Sequence, residues 1–172
     1  MTTALTLHQQ DRFLVATMDD GAVADMVNGG GSLVTEAYGA SVPVIAACTG
    51  HAVAAGALIL LGCDHRVGSS ADAKIGLNEV AIDMVLPDWA LTIARERLSP
   101  LVLERSVVNA QLFDSSGAVA AGFLDEIADP DTGVATAIER SIVLADLDSR
   151  AYAGTVAAFR GRVLAEMRRA LT

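Results

Sequence analysis

The sequence predicts one α/β domain in which helices cover a mostly parallel sheet. Short runs of apolar, β-branched residues alternate with segments of helical spacing, and this alternation is typical of parallel sheets. The chain has 172 residues, of which 52% are hydrophobic. This length and composition suffice for one substantial core and exclude a disordered chain. Two amphipathic helices, predicted at residues 133–147 and 150–171, complete the domain.

Strands in the first half are predicted where apolar runs end at turn residues. These strands and a last short extended piece lie at residues 12–18, 42–48, 64–68 and 74–76. The turn Asp19-Asp20-Gly21 closes the first of them. Between the second and third strands, residues 52–61 form a predicted helix with no polar face, which indicates a buried helix.

A further helix is predicted at residues 22–38, where apolar side chains recur three and four positions apart. Three consecutive glycines, Gly29, Gly30 and Gly31, lie inside it. Each glycine costs a helix interior about 1 kcal/mol relative to alanine. A phosphate-binding loop is the alternative, but the Gly-Lys-Ser/Thr ending of such loops is missing. We therefore favour a loose helix.

Capping residues mark the predicted helix starts in the second half. Asp88 caps a predicted helix at residues 89–98, and Ser99-Pro100 begins another that extends to residue 109. A shorter helix at 115–122 and a strand at 124–128 follow.

Charge and cysteine content limit the expected partners. The net charge is −9, and Lys74 is the single lysine. Nucleic acids and anionic membranes require clustered positive charge, so we expect neither as a partner. Cys48 and Cys63 lie in apolar runs and are interpreted as core thiols. No Cys/His spacing suggests zinc, so no metal site is expected.

The sequence also predicts a cytoplasmic location. Residues 1–11 are polar and lack the basic start and apolar run of a secretory signal. The uncharged stretch at 52–63 is shorter than the roughly 20 residues that cross a bilayer.

The strongest functional signal lies in residues 43–80. Ala54, Ala55 and Gly56 open the buried helix, so a ligand can approach its unpaired backbone N–H groups closely. Such a helix start favours negative charge. Glu79 is the one carboxylate in the otherwise uncharged stretch 75–82. An anion-stabilising backbone and one acid in apolar surroundings are the outline of an active site.

This segment resembles the central part of the enoyl-CoA hydratase/isomerase (crotonase) family. The family pattern is Pro-Val-Ile-Ala-Ala, Asn-Gly-His/Tyr-Ala-x-Gly-Gly-Gly, an apolar helix, Cys-Asp-x-Arg, and Phe-Gly-x-Pro-Glu-Val. The matching residues are Pro43 to Ala47, Gly50-His51-Ala52, Gly56, Cys63-Asp64, Arg66, Gly76 and Glu79-Val80. A looser resemblance continues through Pro87 and the turn at 117–127.

The resemblance implies a crotonase-like (ClpP/crotonase) spiral fold over residues 1–172. Its core would span 1–128, and 129–172 would be a C-terminal helical trimerisation region. The implied assembly is a homotrimer or a dimer of trimers.

The N-terminal part departs from the family pattern. Family members carry a loop of Ala-Gly-x-Asp type, whose backbone supplies one of two oxyanion donors and helps to hold coenzyme A. No Ala-Gly-x-Asp occurs in this chain. The fold is therefore expected to be shortened, with an internal block missing between about Gly21 and Ala22.

Site roles follow from the resemblance position by position. Family enzymes form an enolate-like oxyanion on an acyl-CoA thioester, so coenzyme A is part of the substrate and no permanently bound cofactor is expected. The catalytic positions would be Ala55, whose N–H stabilises the oxyanion, and Glu79, which transfers the proton. The substrate-binding positions would be Ala54, Leu58, Asn78 and Asp88. Asp88 falls near the acyl pocket and could narrow it.

Leu58 decides between reactions. It stands where hydratases have their first glutamate, and a leucine cannot hold a water or move a proton. The resemblance therefore favours single-glutamate isomerase or lyase chemistry over hydration. The alternative is a non-catalytic crotonase-fold subunit or truncated pseudoenzyme, in which Ala54 to Gly56 are small only for packing. His51 and His65 are interpreted as structural in either case.

Overall fold

The computed structural model describes residues 5–10, 13–18, 26–70 and 72–171. The strands are β1 (Leu5–Gln10), β2 (Phe13–Met18), β3 (Val44–Cys48), β4 (Ala52–Val53), β5 (His65–Gly68), β6 (Ile75–Gly76) and β7 (Glu126–Ile127). The helices are α1 (Met26–Tyr38), α2 (Ala55–Gly62), α3 (Asp88–Arg97), α4 (Leu103–Val107), α5 (Ser115–Ala121), α6 (Gly133–Ala145) and α7 (Ser149–Ala170), with a 3₁₀ helix at Glu79–Ile82.

The main sheet has the strand order β1-β2-β3-β5-β7. β1 is antiparallel to β2, and the other neighbours are parallel. β3 and β5 are neighbouring parallel strands joined by α2, which confirms the mostly parallel sheet and the buried helix predicted between them. β4 and β6 pair in a separate small parallel sheet beside the start of α2.

Alternate residues of β3 divide the core between the two faces of the sheet, as the two-residue period of a strand requires. Val44, Ala46 and Cys48 belong to the larger cluster, which also contains residues of α1, α2, α3 and α7. Ile45 and Ala47 pack with Ala137 of α6 on the other face. All five residues of β3 are buried, which explains its continuous apolar run.

Several predicted boundaries are wrong in detail. Residues 52 and 53 form β4 rather than the start of α2, because they pair with β6. Asp88 is the first residue of α3 and not its cap; Pro87 occupies the cap position with φ −68°. α4 is shorter than the predicted helix at 99–109. The turn at 19–21 and the expected missing block between Gly21 and Ala22 lie outside the described residues.

The Asp and Arg of the Cys-Asp-x-Arg motif form hydrogen bonds that connect β3, α7 and the segment before β7. Asp64 accepts the backbone N–H of Val44 at 2.7 Å and pairs with Arg160 of α7 at 2.5 Å. Arg66 donates to both carboxylate oxygens of Asp125 and to the carbonyl of Gly122. Burial alone would raise the pKa of Asp125, but the hydrogen bonds and charge of Arg66 outweigh it and hold that pKa below its ordinary value.

The described helices include none that is both long and apolar enough to cross a bilayer.

The glycine triplet lies inside α1, so the predicted helix is confirmed there and continues to Tyr38. The two described glycine environments differ. A Cβ on Gly31 would lie 2.8 Å from Cε2 of Trp89, whereas a Cβ on Gly30 would have nothing within 4 Å. Gly31 is therefore required by the close approach of the indole, and Gly30 is not required by packing.

We predict opposite effects of two alanine substitutions in α1. Gly30→Ala should raise the free energy of unfolding by about 0.5–1 kcal/mol, because alanine favours the helix and meets no clash. Gly31→Ala should lower it, because overpacking against Trp89 typically costs about 1–3 kcal/mol. Urea denaturation of both variants tests this, and stabilisation by Gly31→Ala would contradict it.

Candidate active site

The start of α2 is held in a strained conformation. Ala54, immediately before the helix, has φ 53° and ψ −119°, which a non-glycine residue rarely adopts. Its N–H donates to the carbonyl of Gly76 at 2.9 Å, and its carbonyl accepts the N–H of Leu58 at 3.0 Å. Such strain costs about 1–3 kcal/mol and persists where surrounding contacts enforce it, often at functional sites.

Ala55 is the first residue of α2 and has a negative φ. An α-helix provides no acceptor for the N–H groups of its first turn. No backbone carbonyl of the described residues accepts the Ala55 N–H. This N–H is therefore available to a ligand, and the helix dipole favours negative charge there.

Glu79 begins the 3₁₀ helix and is buried, with 5% of its surface exposed. The N–H groups of Asp83 and Met84 donate to its carbonyl and hold this turn together. The side-chain Oε2 is buried and has no hydrogen-bond partner in the described part of the molecule. Burial raises the pKa of Glu79. A buried carboxylate with a raised pKa suits proton transfer near neutral pH.

A single small cavity brings together four of the predicted site residues: Ala54, Ala55, Leu58 and Glu79. Its volume is about 50 Å³. The rest of its described wall is almost entirely apolar and includes Val34, Ile82, Met84, Val85, Pro87 and Trp89. Glu79 is thus the one ionisable side chain in the described wall, in surroundings that disfavour its charge.

The other two predicted binding residues lie outside this wall. Asn78 precedes Glu79, and its Oδ1 is buried without a hydrogen-bond partner among the described residues. Asp88 is exposed at the start of α3, and its carbonyl accepts the Thr92 hydroxyl. Its neighbour Trp89 lines the cavity instead. The sequence analysis did not identify Trp89 as a site residue, because an aromatic residue in an amphipathic helix is usually a core residue. The available signal was that Trp89 is next to Asp88, which the resemblance places near the acyl pocket.

Both histidines next to the motif have partners elsewhere. His51 Nδ1 accepts the backbone N–H of Lys74 at 2.9 Å, and His65 Nε2 lies 2.9 Å from Glu126 Oε1. Neither contributes to the described wall of the cavity.

The buried carboxyl of Glu79 should make stability depend on pH. Because its pKa is raised on folding, its stabilising contribution is present below the ordinary value of 4.5 and is lost as pH rises through the raised pKa. We predict that Glu79→Gln is more stable than the wild type at neutral pH and that the difference vanishes towards about pH 4. Chemical denaturation across this range measures it.

Glu126→Gln is the matched control with the opposite sign. Hydrogen bonds from Arg140 lower the pKa of Glu126 to about 2, so its contribution is present at neutral pH and is lost as pH falls through that value. Glu126→Gln should therefore be slightly less stable than the wild type at neutral pH, and the loss is small because water screens its pair with Arg140. Parallel behaviour of the two variants would contradict the assignment of Glu79.

Comparison with known proteins identifies the family and the fold of this chain. The family model for enoyl-CoA hydratase/isomerase matches residues 16–171. A probable enoyl-CoA hydratase of Mycobacterium tuberculosis is 29% identical over 89 residues, which cover 52% of this chain and 34% of that protein. A mitochondrial enoyl-CoA delta isomerase of Rattus norvegicus is 30% identical over 95 residues, which cover 55% and 33% respectively. The chain thus spans about a third of the length of the curated relatives it matches.

Solved structures share the fold. An enoyl-CoA isomerase of Mycobacterium tuberculosis superposes with a TM-score of 0.88 and 30% identity, covering 99% of this chain and 97% of that one. An enoyl-CoA hydratase of Mycobacterium marinum gives a TM-score of 0.87 and 28% identity, with 98% and 96% covered. The crotonase-like fold is confirmed, and the chain belongs to the enoyl-CoA hydratase/isomerase family.

Proposed function

We propose that this protein acts on acyl-CoA thioesters and moves a proton along the enoyl chain with one carboxylate, Glu79. The observation that carries the proposal is the buried Oε2 of Glu79, which has no hydrogen-bond partner among the described residues and lies in the wall of the cavity that Ala55 also lines. A proton-transfer group and an unpaired backbone donor around one cavity are the minimum that enolate chemistry requires.

In the proposed reaction, ionised Glu79 takes a proton from the carbon next to the thioester carbonyl. The electron pair of that C–H bond moves into a dienolate, whose oxyanion accepts a hydrogen bond from the Ala55 N–H. The protonated Glu79 then returns the proton two carbons further along, and the double bond becomes conjugated with the carbonyl. Atoms and charge balance within the substrate, with coenzyme A as its carrier and no further cofactor.

Leu58 argues against hydration as the main reaction. Addition of water requires one group to activate the water and another to handle the proton on the neighbouring carbon. Leu58 lies in the cavity wall and can do neither. Isomerase or lyase chemistry needs only one acid–base group, which the carboxylate of Glu79 supplies.

A non-catalytic crotonase-fold subunit is the second candidate, and the size of the cavity favours it. A volume of about 50 Å³ is far below the several hundred Å³ usual for ligand pockets. Such a subunit would keep the scaffold and an assembly surface without turnover.

An assay of the purified protein on two substrates separates these candidates. With a 3-enoyl-CoA, we expect formation of the conjugated 2-enoyl isomer; with a 2-enoyl-CoA, we expect hydration to be slower by at least about 10², the usual effect of losing an acid–base group. Faster hydration would overturn the single-glutamate mechanism. Absence of both reactions, with thioester binding also absent, would favour the non-catalytic subunit.

We also propose self-association through residues 129–172, as a trimer. Large apolar side chains of the two last helices are exposed in the isolated chain: Ile142 at 54%, Val143 at 63% and Phe159 at 76%. Exposed apolar patches of this kind usually mark interfaces. We predict a trimer at micromolar concentration by sedimentation, and weaker association after Phe159→Glu. A stable wild-type monomer would contradict the proposal.

A further inference from the structure

Trp89 is the only tryptophan of the chain, and it lines the same cavity as Glu79. We propose that Trp89 is a specificity-determining residue: its indole limits the length of the acyl chain, so that the substrates are short-chain thioesters. The inference rests on the proposed function and concerns the substrate class of that same site.

The first argument is the space left beside the indole. The cavity of about 50 Å³ is far smaller than the several hundred Å³ usual for ligand pockets. An acyl chain that extends several carbons beyond the reacting ones does not fit. Trp89 has the largest side chain of the described wall and is 7% exposed. Its volume therefore determines how much of the chain can enter.

The second argument is that the indole cannot easily move aside. Trp89 lies on α3, whose Ala90, Ile93 and Ala94 are fully buried and fix the helix. The indole also lies close to the backbone of α1: a Cβ at position 31 would lie 2.8 Å from the indole Cε2 and would also clash with Leu171. Well-packed interiors do not yield space by compression.

The rest of the wall makes a useful contrast. Met84 and Val85 are exposed by 39% and 90%, so these side chains can turn towards solvent when a ligand enters. They lie on the segment that follows Glu79, after the left-handed residue Asp83. The cavity thus has a solvent-exposed rim at Met84 and Val85 and a buried wall at Trp89.

Binding of unreactive saturated thioesters tests the inference. We expect butanoyl-CoA to bind the wild type and to change the fluorescence of its single tryptophan, because the ligand enters beside Trp89. Decanoyl-CoA should bind more weakly. Calorimetry of the Trp89→Ala variant should show the decanoyl-to-butanoyl ratio of Kd values falling by at least about tenfold, since the deleted indole leaves room for several methylenes.

Two further variants keep the result interpretable. Trp89→Phe preserves an aromatic side chain against Gly31 and should lower the decanoyl-to-butanoyl ratio of Kd values by a smaller factor. This variant tests the inference if Trp89→Ala does not fold. Phe123→Leu alters a fully buried aromatic residue outside the described cavity wall and should leave the ratio unchanged.

The outcomes separate the role of Trp89 from the proposed action on acyl-CoA thioesters. If butanoyl-CoA and decanoyl-CoA both bind and Trp89→Phe and Trp89→Ala leave their ratio unchanged, the role of Trp89 is refuted while action on acyl-CoA stands. If neither thioester binds the wild type or any variant, the proposed function and the inference both fail.

Discussion

Glu79→Gln is expected to lower kcat for enoyl-CoA isomerisation by about 10²–10⁴, the usual effect of removing a general acid–base group. The amide keeps the shape of the side chain but cannot exchange a proton. Affinity for the thioester should change little, because a loss confined to proton transfer appears in kcat and in kcat/KM alike. Steady-state kinetics of both proteins on one 3-enoyl-CoA measure the effect.

The control for this experiment is Glu104→Gln, an exposed carboxylate of α4 with the same chemical change. It should retain wild-type kcat. Equal activity of the wild type and Glu79→Gln would refute the proton-transfer role. Leu58→Glu is the companion variant, since it restores a carboxylate in the cavity wall; it raises hydration only if the added charge is tolerated in these apolar surroundings.

Arg66→Ala is expected to lower the free energy of unfolding by roughly 2–4 kcal/mol. The Arg66 side chain is 6% exposed. Its removal leaves the carbonyl of Gly122 without its side-chain donor and leaves Asp125 with only the backbone N–H of residue 66. The loss falls short of the largest values for buried pairs because the Asp125 side chain is 31% exposed and regains some water. Urea denaturation at neutral pH measures the difference.

Arg140→Ala is the matched control on the surface. Arg140 also forms a two-point contact with a carboxylate, Glu126, but its side chain is 48% exposed. Water screens that pair, so the substitution should change stability little. If Arg66→Ala and Arg140→Ala lost similar amounts of unfolding free energy, burial of Arg66 would not explain the contribution of its ion pair to stability.

The centre of the fold could be predicted from the sequence because local pattern and tertiary environment agree there. β3 is buried on both faces and reads as a continuous apolar run, and α2 is buried all round and has no polar face. β1 was not predicted, because His8, Gln9 and Gln10 break any apolar alternation. That strand forms through backbone pairing with β2, which a single segment does not encode.

The candidate site could be predicted only in part. Ala54, Ala55, Leu58 and Glu79 were expected together, since a motif match indicates which positions face a common ligand. Asp88 lies outside the described cavity wall, and the predicted position differs for a simple reason. One residue along a helix turns the side chain by about 100°, so a motif that matches loosely after Pro87 cannot tell Asp88 from Trp89. The strained backbone conformation of Ala54 could not be predicted from the sequence either, because it depends on the hydrogen bond to Gly76.

α7 completes a core that begins far earlier in the chain. Its buried residues Val163, Leu164 and Met167 join the larger cluster, and Arg160 reaches the carbonyl of Tyr38 in α1. During synthesis, the ribosome needs about 1–4 s to add the 22 residues of α7 at 5–20 residues per second. Until α7 docks, the apolar sides of α1 and α3 that it covers in the folded chain are left without it, which leaves the nascent chain open to aggregation or to a chaperone.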